Sequence, residues 1–527
     1  MNYRLLSRML GIICILFAIT MLFSLPWAHP ALGWRKMIAD ASNEFEWDGF
    51  LGLLISSWIS AAVGGLLMLA GRGARGDKLF RKEAMATVGL SWILATILGA
   101  LPFLLSGVKL GSGTPMSITD ALFESQSGFS TTGATVLSNL EDPQLVPHCI
   151  LFWRSSTHFL GGLGIIVLLV AVLGQGAGGK AMMRAEITGP TKDSTFSRMQ
   201  KTASVFAMIY IVLNLVLALL YWLLGMSMFD ALCHAFGTMA TGGFSTYNGS
   251  LGSFNSPAIE YLTVAFMILA GTNFGLLLLT VTGQVDRLLN DVEWQVYIGI
   301  IISVTLATIG FGYLLGSDFA NLSDAIRYGL FQVVSIITTT GYGTADYDRW
   351  NNFGRGVLLL LMFVGGCAGS TGGGMKVIRH VLLAKILRSE LELSYHPNVV
   401  RPLRIGSQLL DNVDLRRNIL VYFGLVSAVF ACSWLVLITV EPDQQWTALL
   451  RDSGTSNMLD HKLLDCASAV AATLHNIGPG LGVVGPTANY AGFAPWSKLL
   501  FVFLMMLGRL EMFSILVLFV PSFWRKI

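Results

Sequence analysis

Four short glycine-containing segments recur along the 527-residue chain, and their chemistry suits the binding of a bare cation by backbone carbonyls. They contain Thr132-Gly133, Thr241-Gly242, Thr340-Gly341 and Ile477-Gly478. Glycine adopts backbone angles that other residues avoid, and it lets the chain approach an ion closely. The third segment reads TTTGYGT and is similar to the TVGYG loop whose carbonyl oxygens replace the water around a potassium ion. Four such loops in one chain predict a single shared ion site.

The elements that position these loops must lie in a membrane. The chain is 54% hydrophobic and 12% charged, with a mean hydropathy of +0.65, which is too apolar for a water-soluble protein of this length. Apolar runs of the ~20 residues needed to cross a bilayer predict ten spans. They lie near 9 to 25, 50 to 70, 85 to 105, 149 to 173, 203 to 225, 259 to 281, 294 to 315, 355 to 387, 418 to 440 and 497 to 520.

Shorter stretches between some spans begin at an aspartate and end in a glycine segment. The aspartates are Asp120, Asp230, Asp324 and Asp465. Each stretch is too short to cross the membrane, which predicts a helix that enters and turns back. Ser117, Ser227 and Asn321 stand three residues before the first three aspartates, whereas the fourth copy has Lys462 there. This pattern predicts N-caps with an acid in the first turn, and we interpret the aspartates as helix caps rather than ion ligands.

The distribution of Lys and Arg predicts the orientation. With these spans, 23 of the 34 basic residues fall on one side of the membrane and 9 on the other. This excess predicts cytoplasmic termini and outward-facing glycine loops. The basic stretch 376 to 417 is predicted to be a cytoplasmic loop, which either binds lipid headgroups or a regulatory partner or is simply solvated.

The order span, turn-back helix, span repeats four times. We therefore predict an all-α polytopic membrane protein with four pseudo-symmetric repeats around one pore and two extra N-terminal transmembrane helices. The predicted division is 1–72 for the N-terminal helices, 73–190, 191–285 and 286–400 for repeats one to three, and 401–527 for repeat four.

A glycine-rich run interrupts the eighth span. Residues 365 to 374 contain six glycines, and such a run breaks a helix. We predict an intramembrane gate loop below the filter, formed by Gly369, Ser370, Thr371, Gly372, Gly373 and Gly374. The alternative is close helix packing through Gly365 and Gly369.

Two arginines fall within predicted spans. A charge at membrane depth usually faces a cavity or a partner. For Arg509 the alternatives are an ion pair with Glu511, or a position below the filter where it donates to gate-loop carbonyls and repels cations. Arg154, at the head of its span, is predicted to be an interface anchor.

In combination, four motifs resemble the TrkH family, the membrane subunits of Trk-type potassium uptake systems, within the superfamily that includes the Ktr and plant HKT transporters. The motifs are STTGAT at 130 to 135, MATGGFST at 239 to 246, TTTGYGT at 338 to 344 and HNIGPGLG at 475 to 482. The resemblance covers residues 1 to 527. It implies a filter for K⁺ formed by Thr131, Thr132, Gly133, Thr241, Gly242, Thr339, Thr340, Gly341, Asn476, Ile477 and Gly478.

The resemblance also implies the assembly and the location. It implies a homodimer with one pore per subunit in the cell inner membrane, and a cytosolic, TrkA-like regulatory ring that alone carries the nucleotide. In the HKT branch, serine at the first filter glycine accompanies sodium transport, so Gly133 favours potassium.

Three functions remain to be separated: a gated potassium pore or uptake transporter, a sodium-permeable relative of the same fold, and a membrane enzyme or organic-solute carrier. The chain has no nucleophile-base constellation or metal-ligand spacing, which argues against an enzyme. No nucleic-acid partner is expected, and coupling to protons or sodium, as in a symporter, stays open.

Overall fold

The computed structural model describes residues 1–32, 44–73, 81–164, 199–316, 318–397, 404–405, 408–409, 413–443, 446 and 458–525. Helices dominate these residues, and a short antiparallel pair joins β1 (Arg404–Ile405) to β2 (Gln408–Leu409). The end of the predicted span 149 to 173, and the predicted domain limits at 190/191 and 400/401, lie outside the described residues.

The two N-terminal helices form a tightly packed pair. Helices α1 (Tyr3–Leu22) and α2 (Trp47–Ala70) pack along each other. A Cβ on Gly11 would lie 2.7 Å from the carbonyl oxygen of Gly64, so the two backbones meet where neither residue has a side chain. Small residues permit this approach in membranes, where close packing drives helix association.

Four units of similar plan follow this pair, as the sequence predicts. The first contains α3 (Arg81–Leu105), α4 (Ile118–Phe129) and α5 (His148–Leu163). The second contains α6 (Met199–Leu223), α7 (Met228–Met239), α8 (Pro257–Ala270) and α9 (Phe274–Val281), and the short α10 (Val285–Leu289) follows. The third contains α11 (Val292–Ile309), α12 (Leu322–Ile337), α13 (Asn352–Leu361) and α14 (Val377–Tyr395). The fourth contains α15 (Val413–Val440), α16 (Met458–Leu474), α17 (Pro495–Arg509), α18 (Phe513–Leu516) and α19 (Pro521–Trp524).

The turn-back helices α4, α7, α12 and α16 precede the glycine segments. The first three begin at the predicted N-cap residues. The side chains of Ser117, Ser227 and Asn321 accept hydrogen bonds from the backbone N–H of the aspartate three residues later, which confirms these three N-caps. Helix α12 has 16 residues where α4 and α7 have 12, so the stretch from Asp324 to Gly341 is longer than its counterparts in the first two units. Helix α16 begins before Lys462, whose Nζ donates to the carbonyl oxygen of Glu441 at 2.8 Å.

The second membrane helix is broken in the second, third and fourth units, whereas the sequence predicts a break only in the third, at the glycine-rich run. The chain bends by 105° between α8 and α9 and by 116° between α17 and α18. Helix α13 ends at Leu361, and the chain is irregular until Val377. Six helices in the described part of the chain are long and apolar enough to cross a membrane, or up to eight if each bent pair is one span. The predicted spans near 259 to 281 and 497 to 520 are therefore corrected to bent helix pairs, and the predicted break within 355 to 387 is confirmed.

Glycine near the ends of α5 and α17 lets these helices meet the ends of the turn-back helices. A Cβ on Gly508 would overlap the carbonyl oxygen of Leu474, the last residue of α16. A Cβ on Gly161 would likewise overlap the carbonyl oxygen of Phe129, the last residue of α4. The ends of α5 and α17 therefore lie beside the glycine segments that follow α4 and α16.

Candidate functional site

The four glycine segments share one backbone conformation. The N–H groups of Thr132, Gly242, Thr340 and Ile477 each donate to the carbonyl five residues earlier, at 2.8 to 2.9 Å. The preceding residues have positive φ angles of 53°, 54°, 59° and 56°; they are Thr131, Thr241, Thr339 and Asn476. Non-glycine residues rarely adopt this region, so its recurrence at four equivalent positions identifies one repeated structure.

The repeat alignment places Gly243 beside the other three filter glycines. Its φ of 75° matches the values of 78° for Gly133, 79° for Gly341 and 96° for Gly478. The prediction of Gly242 for this position is one residue too early, because the second segment contains two consecutive glycines. Gly242 instead occupies the position of Thr132 and contributes its carbonyl group there.

These glycines form a closed ring in which each unit touches the next. A Cβ on Gly133 would overlap the carbonyl oxygen of Gly242, one on Gly243 that of Thr340, and one on Gly341 that of Ile477. A Cβ on Gly478 would lie 2.5 Å from the carbonyl oxygen of Thr132, which returns the ring to the first unit. The contacts run in the order one, two, three, four and back to one, so the four loops surround a common axis.

A cavity of about 290 Å³ lies against this ring and is lined by all four units. Its walls include Gly133, Gly243, Gly341 and Gly478, together with Arg154 and Tyr490. The Tyr490 hydroxyl donates to the carbonyl oxygen of Gly478 at 2.8 Å and so holds the fourth loop in place. The cavity is therefore a vestibule that leads to the ring of glycines.

Polar side chains occupy the opposite end of the ring. The Oγ1 of Thr131 and the Oδ1 of Asn476 are buried without a hydrogen-bond partner among the described residues. At the equivalent position in the third loop, Thr339 Oγ1 accepts a hydrogen bond from the backbone N–H of Gly373 at 2.8 Å. The predicted gate loop therefore lies directly beneath the ring.

A buried ion pair supports the first and second loops from behind. Arg154 Nε lies 2.5 Å from Oε1 of Glu124, whose Oε2 accepts from the N–H of Val136 at 3.1 Å. The Arg154 guanidinium also donates to the carbonyl oxygen of Ser245 at 2.9 Å and lies over the ring of Phe244. Arg154 is 2% exposed, so the predicted interface anchor is wrong. Hydropathy predicts the position of Arg154 at the start of its span but gives no information on its contact with Glu124.

The glycine-rich segment is irregular and is held from several sides. Gly369 has a positive φ of 72°, and the N–H of Gly365 donates to the carbonyl oxygen of Met375 at 2.7 Å. Because residues 362 to 376 are not helical, the alternative of helix packing through Gly365 and Gly369 is wrong.

Arg509 donates to the carbonyl oxygens of Thr371 at 2.7 Å and Gly161 at 2.5 Å. Arg509 thus connects the loop of the third unit to α5 of the first.

Sequence reasoning missed the contacts of Lys376 and Arg379. Both were assigned to the basic cytoplasmic stretch 376 to 417, yet Lys376 is fully buried where the irregular segment ends, and Arg379 pairs with Glu511. The position of Lys376, two residues after the last glycine of the run, was the available signal. A single lysine does not change the predicted excess of basic residues on the cytoplasmic side.

Comparison with known proteins identifies the family. Residues 53 to 526 match the family model TrkH, described as a cation transport protein. The chain belongs to the TrkH family. The Trk system potassium uptake proteins TrkH of Salmonella typhimurium and Escherichia coli K12 are 37% and 36% identical to this TrkH-family chain over 532 residues, covering 100% of each chain. Trk system potassium uptake protein TrkG of Escherichia coli K12 is 31% identical over 454 residues, covering 86% of this chain and 87% of TrkG.

A solved structure shares the fold of this TrkH-family chain. The crystal structure of the potassium transporter TrkH from Vibrio parahaemolyticus matches with a TM-score of 0.81 and 33% identity, covering 100% of both chains. The predicted all-α polytopic fold is confirmed, and the family is one of cation transporters rather than enzymes. The enzyme alternative is therefore wrong.

Proposed function

We propose that this TrkH-family chain is a potassium uptake subunit that conducts K⁺ through a four-loop carbonyl filter. The closed ring formed by Gly133, Gly243, Gly341 and Gly478 carries the proposal, because each of these positions excludes a side chain next to a neighbouring carbonyl oxygen. The names of the relatives, potassium uptake proteins of Trk systems, support the choice of ion.

The ring meets the physical requirement for moving an ion through hydrocarbon. A bare charge transferred from water to an apolar medium costs tens of kcal/mol. Carbonyl oxygens arranged around one axis offset that cost by replacing the hydration shell. The carboxyl ends of α4, α7, α12 and α16 lead into the ring, and the negative end of each helix dipole favours a cation there.

Potassium is favoured over sodium by the residue at the first filter position and by the third loop. Gly133 has no side chain, and the third loop retains the GYG sequence. Ser127 Oγ donates to the carbonyl oxygen of Ala134 at 2.6 Å, and Ser335 Oγ donates to that of Tyr342 at 2.7 Å. Loops two and four have Gly237 and Ala472 at the serine position. We therefore expect fewer well-formed ion sites than in a four-fold symmetric channel.

The irregular loop 369 to 374 and Arg509 form the proposed gate. The loop lies below the ring, and Arg509 places a positive charge beside Thr371. A fixed cation in the conduction path repels K⁺, so passage requires the loop and this side chain to move. Glycine-rich backbone has the conformational freedom for such movement.

The membrane location, the oligomeric state and the regulatory partner are further parts of the proposal. We propose a multi-pass protein of the inner membrane with both termini in the cytoplasm, on the evidence of the basic-residue distribution. We also propose a homodimer with one pore per subunit, divided as 1–72, 73–190, 191–285, 286–400 and 401–527. A cytosolic TrkA-like ring is its proposed regulator, and nucleotide binds to that partner alone.

Ion flux into liposomes tests the proposal. The purified protein is expected to pass K⁺ and Rb⁺ faster than Na⁺. Gly133→Ser adds a hydroxymethyl group that overlaps the carbonyl oxygen of Gly242, and it is expected to lower K⁺ flux and to reduce the ratio of K⁺ to Na⁺ flux. Equal K⁺ and Na⁺ flux in the wild type would instead support the sodium-permeable alternative, and no flux of any alkali cation would reject both.

A further inference from the structure

Lys376 is a fully buried cation at the end of the gate loop. Its relative exposure is 0%, and it directly precedes Val377, the first residue of α14. Burying an ammonium group is costly unless polar partners replace its water. The Lys376 Nζ donates to the carbonyl oxygen of Gly373 at 3.2 Å and also to that of Gly372. The loop backbone therefore takes the place of water around this charge.

The same peptide units contact the filter. The N–H of Gly373 donates to Thr339 Oγ1 at 2.8 Å, while the carbonyl of Gly373 accepts from Lys376. Thr339 lies at the inner end of the ring, level with Thr131 and Asn476, whose oxygens are buried without a partner among the described residues. The loop thus forms a hydrogen bond with Thr339 Oγ1, one of the polar groups that an ion leaving the ring would contact. Lys376 holds the loop in that position.

Two cations hold three consecutive carbonyl groups. Arg509 donates to the carbonyl of Thr371, and Lys376 donates to those of Gly372 and Gly373. The two side chains come from different units and hold adjacent carbonyl groups. Each can be removed by substitution while the other stays, and the double substitution measures how strongly their effects on the loop are coupled.

Glu293 fixes the two ends of the segment. Its Oε1 accepts from the N–H of Ala368 at 2.7 Å and from the N–H of Ile378 at 3.1 Å. These residues flank the predicted gate loop on either side. Both ends of the segment are therefore hydrogen-bonded to the start of α11. A conformational change of residues 369 to 376 can occur while Ala368 and Ile378 stay bonded to Glu293.

We propose that Lys376 is a second gating cation, which holds the 372–373 peptide against Thr339 and places a positive charge below the filter. Conduction then requires the ammonium to leave both carbonyls, in addition to any movement of Arg509. This inference rests on the proposed function of the ring as a cation filter. Lys376 acts through the loop and is a positioning residue for conduction.

The test compares K⁺ flux into liposomes for Lys376→Met, Lys376→Arg and the wild type, without a partner subunit. Lys376→Met removes the charge and the donors, and we expect K⁺ flux to rise about tenfold, a change equivalent to about 1.4 kcal/mol. Lys376→Arg retains both and is expected to keep flux low. The ratio of K⁺ to Na⁺ flux should be unchanged by Lys376→Met, because the ring is intact.

Arg388→Gln is the matched control. Arg388 lies on α14, the helix that begins directly after Lys376, and its side chain is exposed. Its substitution by Gln removes one positive charge, as Lys376→Met does. We expect wild-type flux from it. A rise in flux equal to that of Lys376→Met would overturn the inference, since the effect would then follow net charge rather than the contacts with Gly372 and Gly373.

Other results would also overturn it. Unchanged flux in Lys376→Met, or an equal increase in Lys376→Arg, would show that the ammonium does not hold the loop closed. If Lys376→Met fails to accumulate in membranes, Lys376→Gln is measured instead; higher flux supports the inference and wild-type flux overturns it. Selective K⁺ flux in the wild type with silent Lys376 variants rejects this inference alone, whereas no alkali-cation flux in any of them rejects the proposed function as well.

Discussion

Lys498 Nζ lies 2.5 Å from Oδ1 of Asp120, and this buried ion pair joins the fourth unit to the first across 378 positions of sequence. Lys498 lies near the start of α17, and Asp120 lies in the first turn of α4. A second pair, Arg327 with Glu260 at 2.6 Å, joins the third unit to the second. Ion pairs therefore connect neighbouring units outside the ring of glycines.

Lys498→Met should destabilise the protein markedly. It leaves the Asp120 carboxylate buried without its cation, and breaking such a pair costs about 3 to 5 kcal/mol. We expect a lower melting temperature in detergent. The double variant Asp120→Asn with Lys498→Met should lose less stability than the sum of its parts, because the two residues are in contact. Exposed Lys109→Met is the control, and a wild-type melting temperature for Lys498→Met would contradict the prediction.

Gly243→Ala should abolish most K⁺ flux. Its Cβ would overlap the carbonyl oxygen of Thr340 and would also strain a residue with a φ of 75°. We expect a decrease of at least about tenfold, which requires only about 1.4 kcal/mol. Gly299→Ala is the control, since its Cβ meets no atom within 4 Å, and it should retain flux. Normal selective flux in Gly243→Ala would reject the corrected alignment of the second loop.

Arg154→Gln should weaken both stability and ion discrimination. It removes the contacts with Glu124 and Ser245 and leaves a buried carboxylate, at a cost of about 3 to 5 kcal/mol. We expect a lower melting temperature together with a smaller ratio of K⁺ to Na⁺ flux. Arg349→Gln is the matched control, because its side chain is 84% exposed although it also pairs with an acid, Asp346. Equal effects of the two substitutions would contradict a role for the buried pair.

Arg509→Ala should increase K⁺ leak in the absence of a partner. The substitution removes the donors to Thr371 and Gly161 and the positive charge beside the gate loop. We expect about a tenfold higher flux, equivalent to about 1.4 kcal/mol. Deletion within residues 369 to 374 should act in the same direction. Wild-type flux in both variants would remove the gating role.

Asp348 should make stability depend on pH near 6. Burial raises the pKa of Asp348 to about 6, although its carboxylate accepts from the N–H of Gly482 at 3.1 Å and Arg355 favours the charged form. The nearby Asp346 and Asp465 raise the pKa further. A carboxyl group with a higher pKa in the folded than in the unfolded protein binds its proton more tightly when folded, so its contribution to stability increases as the pH falls through about 6.

The measurement is the melting temperature of the wild type and Asp348→Asn between pH 8 and pH 5. The wild type should gain stability relative to Asp348→Asn as the pH falls, because the variant has no proton to take up at this position. Parallel curves across that range would show that Asp348 titrates elsewhere.

Local features of the fold were predicted because they depend on neighbouring residues. Hydropathy over a span, a capping side chain three residues before an aspartate, and a helix-breaking glycine run are all encoded within a few turns of chain. The N-caps at Ser117, Ser227 and Asn321 therefore follow from sequence alone. The four glycine segments likewise indicate the family from sequence alone.

Only the tertiary structure decided which groups meet. Two consecutive glycines satisfy the same local pattern, and Gly243 is distinguished from Gly242 by its contact with Thr340 in the next unit. Hydropathy gives the position of a charge but not its partner. The Arg154 partners, Glu124 and the Ser245 carbonyl, are distant in sequence and are brought close by packing. The Lys376 partners are near in sequence, but their contact depends on the irregular path of residues 362 to 376. The breaks between α8 and α9 and between α17 and α18 are similar cases, since apolar composition alone does not specify where a helix must bend around the end of another.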